Sequence, residues 1–197
     1  FNYKYNIKKE AINMTENLKV VLFTSRNKDN KDLEHFKQRS KTFLTTKDKD
    51  DKTLIDEFEN WSEQGLYGET SRFYISVNSR DSDKINKAFI HYLLNNPQIS
   101  PASYPQRVAS VAAKKENASE FKWLFDFDEK KELIPEFISD IKNESNLTDE
   151  EIEFSETVTG FAVVVKHGFD TRNLLKKWKN VELKRDDMLL VDFLKNI

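Results

Sequence analysis

The sequence predicts an α+β fold built on a mixed, largely antiparallel sheet with helices mainly on one face. Three observations lead there. Residues 72–78 alternate apolar and polar side chains, the signature of a half-exposed strand. Leu54, Ile55, Phe58 and Trp61 recur at helical spacing, the signature of an amphipathic helix. Segments of the two kinds alternate along the chain, an arrangement that packs helices on one sheet face and leaves the other free.

Taken in order, residues 18–24 (LKVVLFT) form a short β-branched and aromatic run expected as a buried strand. A helix is expected around residues 32–43, between the polar clusters at 27–30 and 47–52. Thr53 is placed to cap a helix through Trp61, and Gly65 and Gly68 mark the turn after it. In the strand at 72–78, Phe73, Ile75 and Val77 face one way, while Arg72, Tyr74, Ser76 and Asn78 face the other. Ser82 or Asp83 caps the next helix, whose apolar stripe is Ile85, Phe89, Tyr92 and Leu93. Residues 95–121 hold Pro97, Pro101 and Pro105 and read as a long irregular stretch with room for a short helix near 107–115. Loops of that length are usually functional or mobile.

Residues 122–128 (KWLFDFD) are the next strand. The helix after it has Pro135 near its first turn and buries Ile134, Phe137, Ile138 and Ile141. Strands at 152–158 and 161–167 flank the Thr159-Gly160 turn. Asp170 or Thr171 caps a helix through Trp178, and strands at 181–184 and 188–194 close the order. Met14-Thr15-Glu16-Asn17 resembles a natural start, so residues 1–13 are read as an extension. Residues 14–197 are expected as one domain, with N-terminal elements to 70 and a core from 71.

Composition narrows the chemistry. With 32 Lys and Arg against 34 Asp and Glu the net charge is -2, so any nucleic-acid binding must come from a local basic patch. The 197 residues include no cysteine, which excludes disulfide frameworks, zinc ribbons and thiol nucleophiles. The four glycines do not form a glycine-rich phosphate loop. No apolar run approaches the roughly 20 residues that span a bilayer, so no membrane role is expected.

The sharpest feature is Phe125-Asp126-Phe127-Asp128. On a strand, Asp126 and Asp128 project from one face while Trp123, Phe125 and Phe127 pack on the other. Paired carboxylates repel unless a cation lies between them, and Mg2+ or Mn2+ held there can clamp phosphate oxygens. The other reading is that Asp128 begins a loop and Asp126 pairs with a surface lysine. Lys166-His167 ends the later strand, with His167 either a strand-end acid, base or ligand or simply exposed. Arg172 opens a helix, where it can bind phosphate or pair with a neighbouring carboxylate. Tyr74, Asn78 and Arg80 make a polar, aromatic strand face that can stack bases and bind phosphates, or serve as ordinary decoration.

Trp123-Leu124-Phe125-Asp126-Phe127-Asp128 is similar to the hydrophobic-Asp-hydrophobic-Asp metal motif of the archaeo-eukaryotic primase or primase–polymerase superfamily. Thr157-Val158-Thr159-Gly160-Phe161-Ala162-Val163-Val164-Val165 is similar to that family's later motif, a small or glycine turn leading into a strand with a histidine near its start. The chain resembles a small phage-type member over about residues 70–195. The resemblance implies an RRM-like catalytic core, divalent metal on Asp126 and Asp128, a nucleoside triphosphate, and a nucleic acid, single-stranded, as template. Lys166 and Arg172 would neutralise phosphate charge, and Asp192 is the candidate third acid. It also implies a cytoplasmic setting, that of the bacterial host cell if the protein is phage-encoded.

One departure stands out. Ala162 occupies the position of the family's histidine, and His167 lies at the far end of the strand on the opposite face. Three functions are therefore expected candidates: a metal-dependent nucleotidyltransferase, a degenerate relative that binds single-stranded nucleic acid or nucleotide, and a phage factor that docks on a protein partner through the Lys/Asp-rich first part.

Overall fold

The computed structural model describes residues 18–157 and 160–197. The expected extension at 1–13, the start at Met14, and Val158 and Thr159 of the turn lie outside the described residues. The α+β class holds. The single mixed sheet does not: the described strands form two four-stranded sheets, each wholly antiparallel.

The first sheet contains β1 (Lys19–Ser25), β2 (Arg39–Thr45), β3 (Thr70–Ser76) and β8 (Met188–Lys195), in the spatial order β2-β1-β3-β8. The helix expected at 32–43 is instead a run of turns followed by β2. His35 takes a φ of 61°, a left-handed conformation through which a helix does not continue. Phe43 of β2 then packs edge-on against Phe23 of β1, with ring centroids 5.4 Å apart. The expected domain division at 70/71 falls inside β3.

Helix α1 (Lys52–Glu63) lays Leu54 and Phe58 on the Phe23 and Phe73 face of this sheet. Its first turn is capped by Asp51, two residues ahead of the expected Thr53: the Asp51 carboxylate accepts from the Thr53 N–H at 2.9 Å. Helix α2 (Ser82–Asn95) is likewise capped by Asp81, which accepts from Lys84 N–H at 3.0 Å. The stretch at 95–121 is less irregular than its prolines suggest, because Pro105 sits in the first turn of α3 (Tyr104–Ala112), where no N–H is needed. Ile85 of α2 and Ala112 of α3 pack with Val20 on the other face of the sheet.

The second sheet is built from β4 (Trp123–Phe127), β5 (Ile152–Glu156), β6 (Phe161–Val165) and β7 (Val181–Lys184). With α4 (Ile134–Ser145) after β4 and α5 (Arg172–Lys177) after β6, it is a β-α-β-β-α-β unit with the spatial order β5-β6-β4-β7. Phe125, Phe127, Val163 and Val165 pack against Phe137 and Ile141 of α4 and Leu174 of α5. The opposite face is not free. Leu124, Ala162 and Val164 join one buried cluster with Phe73, Ile75 and Leu189 of the first sheet, so the face that carries Asp126 looks into the space between the sheets. No described helix is long and apolar enough to cross a membrane.

Candidate phosphate-binding groove

The alternation of β4 fixes the site. Phe125 and Phe127 are fully buried, which commits Asp126 to the opposite face. Across the sheet Asp126 lies directly opposite Ala162 on one side and Glu182 on the other. Lys184, two residues further along β7, donates from Nζ to Asp126 Oδ2 at 2.8 Å and lies 3.8 Å from Glu182. Burial works to lower the Lys184 pKa, but the hydrogen bond and charge of Asp126, joined by Glu182 and Asp187, outweigh it and hold the ammonium above its ordinary range.

Asp128 follows β4 on the same face. Burial first, then the charges of Asp126 and Glu182, push its carboxyl above the usual carboxylate range, with Lys184 opposing them. Gly160 allows this crowding: a Cβ there would stand 2.9 Å from the Phe127 carbonyl oxygen and 3.0 Å from Asp128 Oδ1.

The facing wall comes from the first sheet. Arg72 and Tyr74 lie on β3, and Arg26 and Lys28 follow β1. Asp29 receives two hydrogen bonds from Arg26, at 2.8 and 3.2 Å, and two from Arg72, at 2.8 and 2.9 Å. Burial acts to raise the Asp29 carboxyl, and these bonds overcome it, leaving it below the usual carboxylate range. Arg26, Lys28, Arg72 and Lys184 line a cleft of about 290 Å³, and Asp126 is the one carboxylate among the described residues that line it. With Asp29, which both arginines bond, four cations stand against two carboxylates, a local excess of positive charge in a chain of net charge -2.

The expected metal would have to compete with a cation already bonded to Asp126. A Mg2+ that arrives on phosphates needs only one or two protein carboxylates, so the number of donors is no obstacle. The competitor is Lys184, whose ammonium donates to Asp126 Oδ2. Among the described residues no three acidic, histidine or cysteine side chains are grouped to hold an ion.

The other expected site residues lie elsewhere. Of the strand group, only Tyr74 reaches the cleft. Asn78 and Arg80 are buried, at 1 % and 2 % exposure. Asn78 Nδ2 donates to the Lys122 carbonyl and to Asp186, its Oδ1 accepts from Lys122 N–H at 2.7 Å, and Arg80 donates to Asp186 at 2.9 Å. A bound nucleic acid has no access to either. Lys166 pairs with Glu151 at 3.2 Å and lies just past the end of β6, four residues after Ala162. At 3.3 Å per residue that places it about 13 Å from the partner position of Asp126. Arg172 is on the α5 side of the sheet, exposed and bonded to Asp170, whose carboxyl those bonds lower to about 2. His167 is exposed beyond β6, and Asp192 lies on β8 opposite Phe73, accepting from the Phe193 N–H.

Sequence reading missed Lys184, Arg26, Lys28 and Asp29. Lys184 carried a faint signal, because it alternates with Glu182 in a short strand, but only the register of β7 on β4 brings it to Asp126. No family model, no curated protein and no solved structure matches the chain.

Proposed function

We propose that the chain is a primase–polymerase-like domain that binds the polyphosphate of a nucleotide in the groove between its sheets, as a relative that has kept binding and lost catalysis. The observation that carries this reading is the gathering of Arg26, Lys28, Arg72 and Lys184 around one small cleft. Arginine forks and lysine ammonium groups are the side chains that recognise phosphate oxygens, and Tyr74 adds an aromatic surface beside them. The cleft lies near the lower end of the roughly 300–1,000 Å³ usual for small-ligand sites, which suits a polyphosphate better than a folded macromolecule. The β-α-β-β-α-β order of the second sheet supports an RRM-like core, with Asp126 on one of its two central strands.

Loss of catalysis is supported from inside the site. Ala162 stands directly across from Asp126, where a histidine on the same strand would face the bound phosphates. An alanine there neither donates a hydrogen bond nor moves a proton.

The test is a titration of ATP carrying a fluorescent label on its ribose. Arg72→Ala removes a two-pronged donor and is expected to weaken binding about tenfold or more, by the loss of charge-assisted hydrogen bonds. Affinity is expected to fall with added salt, as ion pairing requires. An Arg72→Ala protein that binds ATP as the wild type does would sink the groove as the site. Tighter, more salt-sensitive binding of an oligothymidylate than of ATP would make a single strand the occupant instead.

A further inference from the structure

We infer that Lys184 takes the place of a divalent metal at Asp126, so that nucleotide binding by this chain is independent of metal. The inference rests on the reading of the groove as a polyphosphate site. A polyphosphate brought beside Asp126 meets repulsion unless a cation stands between the two anions. The Lys184 ammonium already stands there, 2.8 Å from Oδ2.

The contact is built into the sheet. Lys184 is paired with Leu124 on β4, which makes it the diagonal neighbour of Asp126 on the same sheet face. Both ends of the ion pair are therefore set by adjacent strands. An ammonium has three N–H donors, and Asp126 takes one. Glu182, at 3.8 Å, is beyond hydrogen-bond distance. Donors thus remain for phosphate oxygens, and with 26 % of the Lys184 side chain exposed they are not sealed from the cleft.

Metal and lysine exclude each other at this carboxylate. A dication on Asp126 Oδ2 would have to expel the ammonium and leave it, partly buried, beside a like charge of twice its size. Removing the lysine reverses the situation: Asp126 and Asp128 become two free carboxylates on one strand face, sufficient for a Mg2+ or Mn2+ that carries phosphates with it.

The experiment compares binding of the labelled ATP to the full chain in excess Mn2+ and in excess chelator. Wild type is expected to bind equally well in both, within about twofold. Lys184→Met keeps the length of the side chain without its charge, and is expected to lose about tenfold or more in chelator and to regain affinity in Mn2+. Lys184→Arg, which keeps a cation, is expected to stay metal-independent, and it tests the inference should the methionine variant fold poorly. Wild-type binding that requires Mn2+, or a Lys184→Met protein that binds in chelator as wild type does, overturns metal replacement and leaves the phosphate site standing. A wild type that binds ATP in neither condition overturns both.

Discussion

Two aspartate–cation pairs of nearly equal length occupy opposite environments here. Arg80–Asp186 spans 2.9 Å with side chains 2 % and 7 % exposed, and Lys184–Asp126 spans 2.8 Å with side chains 26 % and 35 % exposed. The first is sealed, and Asn78 shares its carboxylate. The second opens on a cleft and keeps spare donors. The difference teaches that solvent access, rather than residue type or distance, separates a structural ion pair from one available to a ligand. The two are also linked in the chain: Asp186 sits between β7 and β8, so the sealed pair anchors the turn that follows Lys184.

The largest expected effect lies in the sealed pair. Arg80→Met leaves Asp186 charged, buried and short of its cation, and is expected to cost about 3–5 kcal/mol in urea unfolding. Combining it with Asp186→Leu removes the orphaned charge and is expected to recover most of that loss. A single variant that melts like wild type would erase the contrast between the two pairs. Asn78→Ala ranks next. It removes the side chain that bonds both backbone groups of Lys122, and is expected to cost about 1–3 kcal/mol. Neither change touches the cleft, so labelled-ATP affinity of the folded fraction should be unaltered.

The same contrast explains what was legible in the sequence. Strand and helix positions followed from local periodicity, and all but one of the expected strands and helices fall within a few residues of those observed. The exception, at 32–43, contains apolar residues at a spacing that suits a helix, while the break at His35 is set by backbone conformation alone. Partition into two sheets was not legible, because β8 pairs with β3 across more than a hundred residues and no local pattern encodes that partner. The face of Asp126 was legible from the alternation of β4. Its companions were not, since Arg26, Lys28 and Arg72 arrive from the other sheet. Asn78 and Tyr74 looked alike as polar residues of one strand face, yet one is sealed under Lys122 and Asp186 and the other opens on the cleft.

A smaller effect sharpens the open side of the comparison. Asp29 holds both Arg26 and Arg72 and so competes with phosphate for their donors. Asp29→Asn is expected to tighten ATP binding a few-fold, about 1 kcal/mol or less, while lowering stability at neutral pH. The pH dependence has a definite sign. Because the folded carboxyl titrates below its ordinary value of 3.8, its contribution is complete above that value and is lost as pH falls through the folded pKa. Acid unfolding of Asp29→Asn should accordingly lack that part of the wild-type slope. An unchanged acid limb would mean that the two arginines do not depend on Asp29.

The smallest effect is expected at Arg172, the exposed counterpart to both pairs. Among the described residues its guanidinium bonds only to Asp170, two residues away, on the α5 side of the second sheet. That pair is local and screened by water, so it fixes no distant elements together. Arg172→Ala should leave both ATP affinity and thermal stability without measurable change. It should still be visible where it acts: the Asp170 carboxyl, held at about 2 by Arg172, is expected to rise toward 3.8 in a carbon-detected NMR titration. A risen pKa with unchanged affinity would show that a well-formed ion pair on the wrong sheet face contributes nothing to the groove. A loss of ATP binding in the same variant would move the phosphate site to α5 and away from Asp126.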